Sequence, residues 1–111
     1  MIAAVGDIYA QILRREEVRE LMRATQARTR EQPGCEYFAF AETLDDPGHF
    51  VVVQQWRDQR TLDAHYASAV FADYQSQIAP LLVRSAELRI HEVRASARPV
   101  SSSDLDISQD D

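Results

Sequence analysis

Two apolar stretches, "CEYFAFAET" starting at Cys35 and "HFVVVQQW" ending at Trp56, flank the segment "LDDPG", and no other feature restricts the fold of this chain as much. Aspartates that bond the local backbone, with a proline and a glycine that set turn dihedrals, make residues 35–56 read as an antiparallel hairpin whose register follows from the turn. Along it Phe38, Phe40, Phe50 and Val52 take one parity, and Tyr37, Ala39, Val51 and Val53 the other. A sheet with one wet face alternates apolar with polar residues. Here both faces are apolar, so both need covering, and a symmetric dimer is the commonest cover for a second face.

The remaining elements follow from period and punctuation. "IAAVGDIYAQ", residues 2–11, reads as a first strand. "RREEVRELMRATQARTREQ" then places Val18, Leu21, Met22 and Thr25 on one helical stripe, with Glu16 and Glu17 near its start, Arg28 and Arg30 near its end, and Pro33-Gly34 as its stop. Beyond the hairpin, residues 57–78 read as a helix in two pieces, Leu62, His65 and Tyr66 sharing one face and Phe71, Tyr74 and Ile78 another, with Ser68 as cap of the second piece. "ELRIHEV" reads as the last strand, Leu88 and Ile90 on one face and Arg89 and His91 on the other. The order β-α-β-β-α-β predicts an α+β, ferredoxin-like domain over residues 1–94 with a four-stranded antiparallel sheet. Residues 95–111 form an acidic Ser/Asp-rich tail with one arginine against four aspartates.

Composition narrows the functional classes. The formal charge of −6 argues against a nucleic-acid partner, which calls for a cationic surface. No apolar run approaches the ~20 residues of a membrane span, and the start lacks the pattern of a signal peptide, so a cytoplasmic location without membrane contact is expected. The single cysteine, Cys35, has no internal partner for a disulfide and reads as an inert, half-buried thiol. With three glycines in all, there is no phosphate-cradling loop or dinucleotide fingerprint. His49, His65 and His91 fall on three separate elements, so neither a metal site nor a cofactor is expected.

Residues 31–74 carry a resemblance. "PGC" entering the second strand, "LDDPG" in the hairpin, Trp56 closing the third strand, "LDAH" on the helix and Phe71 together resemble the antibiotic biosynthesis monooxygenase family of small ferredoxin-like proteins. The resemblance implies a homodimer, a dimeric α+β barrel, with a pocket between each sheet and its own helices. Some members oxidise polycyclic phenols with dioxygen and no cofactor; others degrade haem or process small signalling molecules. Trp56 matches the pocket tryptophan of quinone-forming members, whereas Val52 and Leu62 stand where those enzymes carry an asparagine and a tyrosine. Haem-degrading members use an asparagine, a tryptophan and an axial histidine where this chain has Asp7, His65 and Gln75, so the resemblance does not extend to haem.

The residues themselves then define a candidate site. Phe50, Val52, Gln54 and Trp56 point one way from an extended strand, toward the helices in the family's arrangement, where they meet the face holding Leu62 and His65. Trp56 is either a pocket wall or a core residue at the rim. His65, with an ordinary imidazole pKa of ~6.5, suits removal of a phenolic proton at neutral pH, and a hydrogen-bonded core histidine is the alternative. Asp7 is a second candidate base, or a solvated strand residue. Phe71 and Tyr74 are candidates to stack on a planar ligand. The expected reaction is oxidation of a planar, electron-rich aromatic, a hydroquinone or anthrone, by dioxygen. An isomerase or degradative enzyme for a small carbonyl metabolite, and a non-catalytic ligand-binding protein, are the alternatives on the same fold.

Overall fold

A computed structural model describes residues 1–94; the acidic tail inferred above lies outside the described residues. Strand β1 (Ile2–Tyr9) leads through a short 3-10 turn into α1 (Arg15–Thr29); β2 (Cys35–Glu42) and β3 (His49–Trp56) follow, then α2 (Gln59–Tyr66), α3 (Ala69–Ile78) and β4 (Glu87–Glu92). The four strands form one antiparallel sheet in the order β2-β3-β1-β4, the ferredoxin-like arrangement. β1 ends two residues earlier than its apolar composition predicts, because Gln11 turns away and spends its side-chain amide on the carbonyls of Pro80 and Leu82.

Register sorts the strand residues into cross-strand rows. On the inner face, against the helices, one row runs Phe40–Val52–Gly6–Leu88 and the next Phe38–Gln54–Ala4–Ile90. On the outer face the rows are Ala39–Val53–Val5–Arg89 and Ala41–Val51–Asp7–Glu87. A register shift between Cys35 and Tyr37 lets Cys35 as well as Phe38 face inward, although their numbers differ in parity. Burial pushes the Cys35 thiol pKa up, in keeping with an unreactive group.

The core lies between the inner face and the helices and includes Ile2, Ile8, Val18, Met22, Phe38, Phe50, Trp56, Leu62 and Ile78. α1 also closes the free edge of β2. Its Gln26 accepts the Phe40 N–H at 3.0 Å, Arg30, just past its last turn, donates to the Phe38 carbonyl at 2.8 Å, and Arg19 pairs with Glu42 at 2.8 Å. These contacts use up backbone groups that an open edge would offer to another strand. β4 differs: all six of its residues are exposed, Leu88 at 41% and Ile90 at 48%. No helix among the described residues is long and apolar enough to cross a membrane.

Candidate active site

α2 is set in place by its first turn. Asp58 caps it, accepting the Thr61 N–H at 2.9 Å, while Thr61 Oγ1 returns a bond to the Asp58 N–H at 3.3 Å. Thr61 in turn packs against Gly34, which has φ +81° and leaves no room for a side chain: a Cβ there would lie 2.4 Å from Thr61 Cγ2. The Pro-Gly stop before β2 therefore also brings the loop carrying Gln32 against α2.

One turn further along α2, His65 enters the core. Its ring stacks on Trp56, centroids 4.9 Å apart and planes at 26°, and meets Phe38, Tyr66 and Phe71 edge-on or tilted at 5.8, 5.1 and 5.3 Å. Only 3% of its surface is exposed, and this burial among rings pulls its pKa from 6.5 to about 4. At neutral pH the imidazole is uncharged, with a lone pair on one nitrogen. Nδ1 lies 2.7 Å from Gln32 Oε1.

Beside His65, between the inner sheet face and the helices, is a cavity of about 600 Å³. Gly6 lies at its floor in the row Phe40–Val52–Gly6–Leu88, where its neighbours close in so tightly that a Cβ would lie 2.9 Å from the Glu87 carbonyl oxygen, and Val52, Gln54, Phe38 and Phe40 complete that side. Tyr66, Phe71 and Tyr74 line the helical side, and residues 82–88 close the remainder. Such a lining, mostly aromatic and aliphatic with a few polar groups, suits a flat apolar ligand. Burial raises the Tyr74 pKa well above its ordinary value and raises that of Tyr66, so both stay protonated at neutral pH. Tyr66 Oη is sealed from solvent and makes no hydrogen bond of good geometry, although the Gln54 side chain lies near enough to offset part of the burial effect.

The sequence-derived residues fall into three groups. Val52, Gln54, His65, Phe71 and Tyr74 are brought together around the cavity. Trp56 and Leu62, both with no exposed surface, stand behind its wall rather than in it. Trp56 supports the His65 ring and donates its indole N–H to Gln54 Oε1 at 2.9 Å, so the core alternative describes it better than the pocket wall. Asp7 is not with them. Its row on β1 faces outward, and its carboxylate lies 2.9 Å from His49 Nε2 and 3.4 Å from Arg89 Nη1, on the far side of the sheet from His65. The His49 contact, chiefly, holds the Asp7 carboxyl below its usual pKa. Gln32, Tyr66, Phe40 and Gly6 join the site without having been named as site candidates from the sequence; Tyr66, on the helical face of Leu62 and His65, and Phe40, in one parity set of the hairpin, carried a periodic signal, whereas Gln32 carried none.

The family described as antibiotic biosynthesis monooxygenase matches residues 1–77, a span that includes Gln32, Gln54, His65 and Tyr74 and stops short of the segment closing the cavity. An uncharacterized protein of Synechocystis is 26% identical over 92 residues, 83% of this chain and 63% of the relative, so the chain spans less than two thirds of that protein. The Mycobacterium tuberculosis protein Rv0793 is 31% identical over 70 residues, 63% of this chain and 68% of the relative. Its solved structure superposes with a TM-score of 0.80 at 25% identity, covering 87% of this chain and 98% of that one. A Deinococcus radiodurans structure superposes with a TM-score of 0.85 at 21% identity, covering 91% and 100%, a likeness of fold.

Proposed function

This chain belongs to the antibiotic biosynthesis monooxygenase family, and on that premise we propose that it oxidises a planar, electron-rich aromatic of the hydroquinone or anthrone type with dioxygen and no cofactor. The observation that carries this reading is an uncharged, buried His65 beside an aromatic-lined cavity of about 600 Å³. His65 is unprotonated at neutral pH and so free to take a proton, but a pKa of about 4 makes it a weaker base than the ordinary imidazole expected from the sequence, and the proton it takes is held only by the substrate anion formed beside it.

The steps use the substrate's own electrons. His65 removes the acidic proton; the resulting anion passes one electron to dioxygen, and the radical pair combines to a peroxide at carbon. Loss of water then leaves a carbonyl, so an anthrone and one dioxygen give an anthraquinone and one water. Phe38, Phe40, Phe71 and Tyr74 hold the ring system and keep solvent off the anion. Asp7, across the sheet, has no part in this scheme.

The same reading makes the chain a homodimer joined through the outer face, where Val5, Val51, Val53 and Ala39 are only half buried in a single copy. Oxygen uptake and product mass tests the reaction, using metal-free protein and a panel of anthrones and hydroquinones corrected for autoxidation. A gain of one oxygen less two hydrogens from an anthrone supports it, with turnover lost in His65→Ala. No uptake across the panel, or undiminished turnover in the variant, overturns it.

A further inference from the structure

The two nitrogens of His65 are in different situations. Nδ1 faces Gln32 Oε1 at 2.7 Å, and since an amide oxygen has no proton to give, the proton between them belongs to the imidazole. The amide is oriented from its other end. Gln32 Nε2 donates to Ser68 Oγ at 3.0 Å, while that hydroxyl gives its own proton to the His65 carbonyl at 2.6 Å and accepts the Phe71 N–H at 3.2 Å. Turning the amide over would set Gln32 Oε1 against Ser68 Oγ, whose proton already goes to the His65 carbonyl, so the Ser68 bond holds the amide with its oxygen toward Nδ1.

His65 stands between the cavity and a groove of about 400 Å³ on the other side of α2, lined by Gln32, Arg57, Arg60 and Ser68 among others. Nδ1 is turned to the groove side, where Gln32 meets it. Nε2, at the other end of the ring, has no hydrogen-bond partner among the described residues, and the side-chain polar atoms that are sealed off without one are Thr29 Oγ1 and Tyr66 Oη. Nε2 therefore keeps a lone pair that a ligand can reach.

We infer that Gln32 is a positioning residue that fixes His65 in the Nδ1–H tautomer, and that the site consequently selects a ligand donating a hydrogen bond to Nε2, a phenol or enol O–H, over an ether, ketone or quinone of the same shape. The selectivity rests on the reading of the cavity as an aromatic site; the tautomer does not. The opposite tautomer would present an N–H and invert the preference. An acceptor buried opposite a group that cannot donate loses the bond it gave up to water, and one such bond corresponds to about a tenfold change in affinity.

The test has two arms. In the free protein, nitrogen-15 histidine spectra, assigned by the signals missing in His65→Phe, are expected at pH 7 to show Nδ1 protonated and Nε2 bare. In Gln32→Met the balance shifts toward Nε2–H, and in Gln32→Glu, which keeps the shape but adds a charge, the His65 pKa rises by about one unit or more. An Nε2–H wild type, or a Gln32→Met spectrum unchanged from it, overturns the role of Gln32. In the second arm, 1-naphthol is expected to bind the wild type about tenfold more tightly than 1-methoxynaphthalene, with the ratio falling toward one in Gln32→Met. Equal affinities in the wild type overturn the selectivity. Failure of both probes to bind overturns the aromatic-cavity reading and the selectivity with it, while the spectra still decide whether Gln32 sets the tautomer.

Discussion

Gln54 Oε1 accepts the indole N–H of Trp56 at 2.9 Å, from a position two residues earlier on the same inner face of β3. An apolar strand thus ends in two side chains that satisfy each other, and the indole is left free to lie flat against His65. Gln54→Leu removes the acceptor and leaves a buried N–H unpartnered, which costs about 1–3 kcal/mol. Urea unfolding followed by tryptophan fluorescence measures it; an unchanged midpoint would mean the bond contributes nothing.

Acid should destabilise the protein through His65. Its folded-state pKa of about 4 lies below the ordinary 6.5, so the unfolded chain binds the proton first as pH falls. The stability contributed by keeping the imidazole neutral is complete above pH 6.5, is lost progressively toward pH 4, and is on the order of 3 kcal/mol. His65→Phe, which has no proton to take up, should flatten the stability profile across that window in thermal unfolding at a series of pH values.

Asp7→Asn should leave oxygen uptake and cavity-ligand affinity within about twofold of wild type, since the carboxylate serves His49 and Arg89 on the opposite face. A loss of turnover of a hundredfold with intact folding would restore Asp7 as a participant in the chemistry.

Val53→Arg tests the outer face. Val53 sits mid-sheet between Ala39 and Val5, so a guanidinium there would be buried without a partner if two copies pack on this face. Light scattering at micromolar concentration should report a dimer for the wild type and a monomer for the variant, with unchanged circular dichroism in both. A wild-type monomer would remove the homodimer.

Gly34→Ala should cost at least about 2 kcal/mol, because it combines a left-handed backbone with a Cβ 2.4 Å from Thr61 Cγ2. Chemical denaturation gives the stability loss. The same variant should broaden the His65 nitrogen signals, since Gln32 and Thr61 are held by the same contact between loop and helix.

Element order, the hairpin and the two-piece helix were legible because each rests on local chemistry: turn residues at LDDPG, the Ser68 cap, an apolar stripe on α1. The inward set of β3 was legible by alternation alone. The face of Asp7 was readable in the same way, since Ile2, Ala4, Gly6 and Ile8 are the inward residues of β1 and Asp7 has the other parity. The family's residue pattern had drawn it toward the pocket instead. Trp56 and Leu62 differ from Val52 and Phe71 only in depth, and depth depends on packing in three dimensions that periodicity does not encode. Gln32 had no local signal at all: it lies in an irregular loop, 33 positions from the histidine it holds.

The segment that closes the cavity bears on how such a protein changes over time. Everything that holds His65 comes from β2, β3, α2, α3 and the loop before β2, whereas the opposite wall is a separate stretch tied down at its start, where Gln11 N–H reaches the Leu81 carbonyl and Val83 N–H the Tyr9 carbonyl. Substitutions at Leu82, Val83 or Ala86 would reshape what the cavity admits without disturbing the histidine, its amide partner or the buried rings. On the proposed reading, the group that takes the proton and the wall that fits the ligand lie on different pieces of chain, so a lineage can drift to a new ligand while His65 and its partners stay as they were.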